Sequence, residues 1–174
     1  RSYRFTFIVS AGETSFFSDI QSEIEAAKFE AAKERIDIQM LTVPPLDPQA
    51  IVEVIERLGD DIGDGLALVA VESQAVRDSV NALRARGVWV VTFISDIPNS
   101  QRQRFVGIDN VAAGRVAGSL LKRFISAPSG DVAVVAGSST LRDHVERRMG
   151  FEQVMRTECR HLNVLPWIEG EEMA

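Results

Sequence analysis

The sequence predicts an α/β protein whose first part is a doubly wound parallel sheet and whose second part is an α/β lobe left incomplete at residue 174. Three observations predict this. Short apolar runs, long enough for strands and too short for helices, alternate along the chain with stretches whose apolar residues recur every three or four positions. Helix-capping residues (Ser, Asp, Asn) stand where each run gives way to a periodic stretch. Strands alternating with helices in this way build right-handed βαβ units.

Arg4-Phe-Thr-Phe-Ile-Val9 reads as the first buried strand, and the polar loop Ser10-Ala-Gly-Glu-Thr-Ser15 follows it. A helix is expected to begin between Ser15 and Ser18, with Ser18 and Gln21 as a capping box and Ile20, Ile24, Ala27 and Ala31 facing inward. Ile38–Val43 is a second strand, less uniformly apolar and so placed nearer an edge; Pro44-Pro45 ends it. Asp47 caps the next helix with Pro48 in its first turn, and Ile51, Val54, Ile55, Leu58 and Ile62 form its stripe. Leu66–Val71 is a wholly apolar third strand. Ser73 opens a helix with Val76, Val80 and Leu83 inward, Gly87 closes it, and Val88–Phe93 is the fourth strand.

Phe105–Ile108 is the next strand, and Asp109-Asn110 start a helix whose inner face is expected to be Ala113, Ala117, Leu120, Leu121 and Phe124. Gly114 and Gly118 lie four apart in it, each costing about 1 kcal/mol against alanine, a cost that close approach of another backbone usually offsets. Beyond Ser129-Gly130 come a strand at Val132–Ala136, a loop Gly137–Thr140, a helix through Arg147 and Phe151, and a strand within Leu162–Ile168. Two strands are too few for an independently stable sheet, so residues 109–174 are expected to be a partial lobe after a complete one at 1–108.

Composition narrows the function. Hydrophobic residues make up 45% and charged residues 25%, ordinary for a globular domain, and the net charge of −6 provides no general attraction for nucleic acid. One cysteine excludes an internal disulfide, and two histidines assemble no zinc-ligand spacing, so no metal and no cofactor are expected. No apolar run reaches membrane-spanning length. Dinucleotide, Walker and nucleophile-elbow motifs do not occur, which argues against an enzyme.

Val106-Gly-Ile-Asp-Asn-Val-Ala-Ala-Gly-Arg-Val-Ala-Gly-Ser-Leu-Leu121 resembles the segment where the chain crosses between lobes in the lac repressor and ribose-binding-protein family. The resemblance covers most of the chain and implies a periplasmic-binding-protein-like fold with a sugar-sized ligand in a cleft between lobes.

Ligands of open α/β sheets bind outside the carboxyl ends of the strands. That rule selects loops carrying Ser10, Phe16, Phe17, Glu72 and Asp96, and the segment carrying Arg142 and His144. Adjacent phenylalanines leave a helix in different directions, so Phe16 and Phe17 are not both expected in the core; an aromatic ring can stack on the C–H face of a sugar. The family's aromatic pair in this loop matches them in position. Asp96 is a carboxylate that could accept hydroxyl protons or cap the turn before Pro98. The family has an arginine six residues before an aromatic in its second lobe; Val145 stands there, and Arg142 or His144 could take over the role.

The resemblance further implies the effector-binding domain of a bacterial transcription regulator: a sugar-like effector, operator DNA bound through a separate helix-turn-helix domain, a homodimer, a cytoplasmic location and no membrane partner. The basic start Arg1-Ser-Tyr-Arg4 and the wording of Thr92–Pro98 look more like regulators than transport proteins. A periplasmic sugar-binding protein of a transport system is the alternative.

Overall fold

The computed structural model describes residues 1–11 and 15–170, so the middle of the loop after the first strand lies outside the described residues. The chain divides into two compact units, Arg1–Gly107 and the residues from Ile108 onward.

The first unit holds a five-stranded, all-parallel sheet in the order β2-β1-β3-β4-β5. Its strands are β1 (Tyr3–Ser10), β2 (Ile36–Val43), β3 (Gly65–Leu68), β4 (Trp89–Phe93) and β5 (Arg104–Val106). Three helices join them: α1 (Ser15–Lys33), α2 (Pro48–Leu58, followed by a 3-10 turn) and α3 (Gln74–Ala85). The less apolar β2 is an edge strand, as its composition implies. The Leu66–Val71 run ends its pairing at Leu68, although Val69, Ala70 and Val71 remain buried.

Local chemistry sets the helix starts. The Asp47 side chain accepts from the Ala50 amide with Pro48 in the first turn, and the Ser73 hydroxyl accepts from Val76. Val76, Val80 and Leu83 are buried, and Gly87 adopts φ +88°, the left-handed conformation that closes a helix. α1 runs from Ser15, within the expected range, but without the expected capping box: Ser18 lies inside it, while Gln21 donates to the Ser10 carbonyl at 2.9 Å. Ala27 is exposed; the inner face runs through Phe17, Ile20, Ile24 and Ala31.

The second unit contains α4 (Asn110–Phe124), β6 (Gly130–Val132), β7 (Val135–Ala136), α5 (Arg142–Glu158), β8 (Leu162–Val164) and β9 (Ile168–Glu169). The expected strands 132–136 and 162–168 are each broken in two, giving parallel pairs β6–β8 and β7–β9. Asp109 caps α4 by accepting from Ala112, which leaves Asn110 as its first helical residue.

The inner face of α4 is only partly the expected apolar set: Leu121 packs on the core of the second unit and Ala113 is part-buried. Asn110, Gly114 and Gly118 are its buried residues, while Ala117, Leu120 and Phe124 (80% exposed) face outward. The glycines admit α5. A Cβ on Gly114 would stand 1.9 Å from the Arg147 carbonyl oxygen, and one on Gly150 of α5 would stand 2.0 Å from that of Val111. Backbone contact at this distance explains why glycine is tolerated inside both helices. Val132, Met155, Cys159 and Leu162 form the small core behind this contact.

With only two-stranded sheets, the second unit depends on that helix pair. Gly114→Ala should therefore destabilise it by about 3 kcal/mol. Amide hydrogen exchange should rise from residue 108 onward while the five-stranded sheet keeps its protection. Unchanged exchange in α5 would show that the helices part without cost.

Candidate functional site

At the carboxyl edge of the five-stranded sheet the chain leaves β1 at Ser10, β3 beyond Leu68 and β4 at Phe93. Ser10 is nearly buried, and its carbonyl oxygen holds Gln21. Phe16 and Phe17 meet edge to face, with ring centroids 5.3 Å apart. They part in role as their helix directions require. Phe17 packs on the Val9, Ile24 and Val69 cluster, whereas Phe16 is 51% exposed. Glu72 is exposed and pairs loosely with Arg77 at 3.4 Å.

Asp96 is held more firmly than its sequence position suggests. Oδ1 accepts from the Thr92 hydroxyl at 2.6 Å and from Arg102 Nε, and Oδ2 accepts from the second arm of the same guanidinium. The pair is forked, the strong geometry for arginine and carboxylate. Burial pushes the Asp96 carboxyl up, but the bonds from Arg102 and Thr92 and the Arg102 charge outweigh it and hold the group below its ordinary value. Asp96 thus ties the β4 exit to the segment leading into β5.

Backbone strain gathers at the same edge. Ile94 has φ +66° and Asn99 φ +63°, bracketing Asp96, and Leu46 at the exit of β2 has φ +56°. A β-branched residue in the left-handed region costs on the order of 1–3 kcal/mol, and such residues cluster where structure serves binding. The buried Ser95 hydroxyl between them has no partner among the described residues.

In the second unit, Arg142 at the start of α5 is paired with Glu146 along the helix, and His144 Nδ1 lies 3.2 Å from the Ser138 carbonyl oxygen. Arg147 has the more central position. Nε donates to buried Asn110 at 2.8 Å and Nη2 to buried Asp143 at 3.2 Å, locking the starts of α4 and α5 together. Asp143 Oδ1 has no partner among the described residues. Arg147 and His144 border a hollow of about 310 Å³ whose walls include Ala113, Val134, Phe151 and Trp167.

Sequence reasoning selected Asp96 and missed Arg102 and Arg147. Arg102 lies six residues on in an irregular segment, where no periodicity predicts a contact. Asn110 offered a hint of Arg147, since a polar residue just inside a cap must find a partner if it is buried.

The chain matches the model of a family described as a periplasmic binding protein domain over residues 5–173, and it belongs to that family. Among solved structures it is similar to an ABC transporter solute binding protein from Burkholderia graminis, at 22% identity and TM-score 0.84, covering 95% of this chain and 55% of that one. It is also similar to GanP, a glucose-galactose binding protein from Geobacillus stearothermophilus, at 20% identity and TM-score 0.82 over 100% and 60% of the two chains. A putative LacI transcriptional regulator from Bacteroides fragilis has 16% identity and TM-score 0.80 over 98% and 61%. At these identities the likeness establishes the fold alone, and the chain spans less than two thirds of each structure. No curated protein matches.

Because Asp96 is held below its ordinary value of 3.8, it adds stability that is fully present above that pH and is lost as pH falls through the lower folded value. Asp96→Asn should lower stability at pH 7 and flatten the acid limb below pH 3.8 in urea titrations at stepped pH. Parallel acid limbs for variant and parent would assign that limb to other carboxylates, such as Asp64 or Glu169.

Proposed function

We propose that the chain binds a neutral sugar or sugar-like molecule at the carboxyl edge of the five-stranded sheet. The half-exposed Phe16 ring, braced edge-on by Phe17, is the observation that carries this reading. An exposed aromatic in the first turn of a helix offers apolar area to a pyranose or furanose. The Asp96–Arg102 pair supplies a polar rim whose two charges cancel, which suits an uncharged ligand over an acid or an amine. The Burkholderia graminis structure is a complex with D-arabinose, which supports the ligand class.

We further infer that the domain serves a lac-repressor-type transcription regulator of the bacterial cytoplasm. In that reading a helix-turn-helix domain elsewhere in the protein binds operator DNA, the regulator is a homodimer, and the ligand alters DNA affinity. The Bacteroides fragilis regulator supports this, together with Val106–Leu121. A transport role is the second reading, favoured by the solute binding protein and the glucose-galactose binding protein among the similar structures. Sedimentation of the natural full-length protein distinguishes them: a dimer at micromolar concentration fits the regulator, and a strict monomer fits the transport protein.

Calorimetry with aldoses and ketoses tests the site. Phe16→Ala should weaken binding by about 1 kcal/mol, roughly fivefold, with the fold intact because the ring is exposed. Asp96→Ala should weaken it by about 1–3 kcal/mol, roughly 5- to 150-fold. Phe17→Ala should instead cost about 2 kcal/mol of stability through its core contacts. Parent-like affinity in both the Phe16 and Asp96 variants would place the ligand elsewhere.

A further inference from the structure

A strained turn marks the exit of β4. The Ser95 amide donates to the Phe93 carbonyl at 2.8 Å, closing a three-residue turn around Ile94, whose φ is +66°. Turns of this kind with a positive φ at the centre are rare and strained. Glycine or asparagine would fill the position at little cost, whereas isoleucine, branched at Cβ, is among the residues least suited to it. The Ile94 amide pins the turn to the neighbouring strand by donating to the Val106 carbonyl at 3.0 Å.

What the isoleucine contributes is carbon. Ile94 is half-buried and packs, like Phe17, on the cluster of Val9, Ile24 and Val69. Phe16 leans edge-on against Phe17 and is 51% exposed. Phe16, Phe17 and Ile94 thus belong to one apolar surface that runs from the start of α1 to the exit of β4. Hydroxyl-binding groups beside it are few among the described residues. Asp96 takes one bond from Thr92 and two from Arg102, filling all but one lone-pair position of a carboxylate, so it can serve at most one ligand hydroxyl. The Thr92 hydroxyl is spent on that bond, and the Ser95 hydroxyl is sealed from solvent (1% exposed). Asp47 is committed to the start of α2. Glu72 is held loosely, 3.4 Å from Arg77, and stays available to ring hydroxyls.

We propose that Ile94 is a specificity-determining residue and that the preferred ligand is a 6-deoxy sugar, its methyl group seated against Ile94 and Phe16 where a hexose carries a hydroxymethyl group. The proposal rests on the reading that a sugar-like molecule binds at this edge. A hydroxymethyl group at that place gives up its bonds to water and meets carbon, an unsatisfied burial that favours the methyl analogue. The strain at Ile94 then has a use. It holds an apolar branch where a residue suited to the turn would place a hydrogen atom or an amide.

The test is calorimetry on the natural full-length protein with hexoses matched except at C6: L-fucose against L-galactose, L-rhamnose against L-mannose, and 6-deoxy-D-glucose against D-glucose. D-xylose, a pentose with no C6, is titrated alongside. The expected result is about tenfold tighter binding of the 6-deoxy member in the pair that binds best. Ile94→Val and Ile94→Thr are both branched at Cβ and alike in shape, so they share the backbone strain and differ in one hydroxyl. Ile94→Val should keep the preference, and Ile94→Thr should reduce it to about twofold or less. Equal affinity within every pair, tighter binding of the hydroxymethyl member, or a full preference surviving in Ile94→Thr would overturn the proposal and leave the sugar site standing. Binding of D-xylose with none of the hexoses would do the same. Binding of none of these sugars would overturn the site reading and the proposal with it.

Discussion

A parallel sheet cannot leave a face in water without exposing its largest apolar side chains, and this requirement shapes the first unit. β1 lies between edge strand β2 and central strand β3, and its Thr6, Ile8 and Ser10 side is so well buried that the Thr6 hydroxyl finds an internal partner, the Ile62 carbonyl of the 3-10 turn after α2, at 2.7 Å. Gln39 then donates to the same hydroxyl and to the Asp61 carbonyl, so polar atoms under the helices form a satisfied chain. With the sheet fixed in this way, the loops at its carboxyl edge can hold unfavourable backbone angles. The cost of Ile94 in the left-handed region is carried by the packing of its neighbours and by the Asp96–Arg102 clamp.

The second unit meets the same requirement differently. Its sheets are pairs, and its order comes from two helices approaching until backbone touches backbone at Gly114 and Gly150. Such contact has no tolerance for a methyl group, and the Asn110–Arg147–Asp143 chain adds a polar lock at the same end of the helices. Glycines inside a helix therefore mark its contact surface here more truly than Leu120 or Phe124 do.

What was legible in the sequence follows from the range of the interactions involved. Asp47, Ser73, Asp109 and Gly87 act on their own helix ends, so local pattern placed them correctly. The edge position of β2 could be read from its mixed composition. The helix runs from Ser15, within the expected Ser15–Ser18 range, but the capping box does not form: Ser18 lies inside the helix and Gln21 serves the Ser10 carbonyl, a contact set by tertiary structure. On α4, Gly114 and Gly118 correctly marked the close approach of another backbone and Leu121 packs inward, but Ala117, Leu120 and Phe124 were misplaced, because hydrophobic periodicity favours apolar side chains whereas the contact needed the smallest residues. At the candidate site, exit loops and exposed aromatics follow from strand order, so Phe16 and Asp96 could be nominated. Arg102 and the positive φ of Ile94 could not, since irregular backbone carries no period.

The central claim is that ligand binds at the carboxyl edge of the sheet. Amide hydrogen exchange with and without a bound sugar tests it most directly, because it reads every strand end at once. The account predicts that added protection concentrates at Phe16, Phe17 and Gln21 and across Ile94–Arg102, leaving the amino edge at Tyr3, Gly63 and Trp89 unchanged. Protection at that amino edge, with none around Asp96, would contradict it.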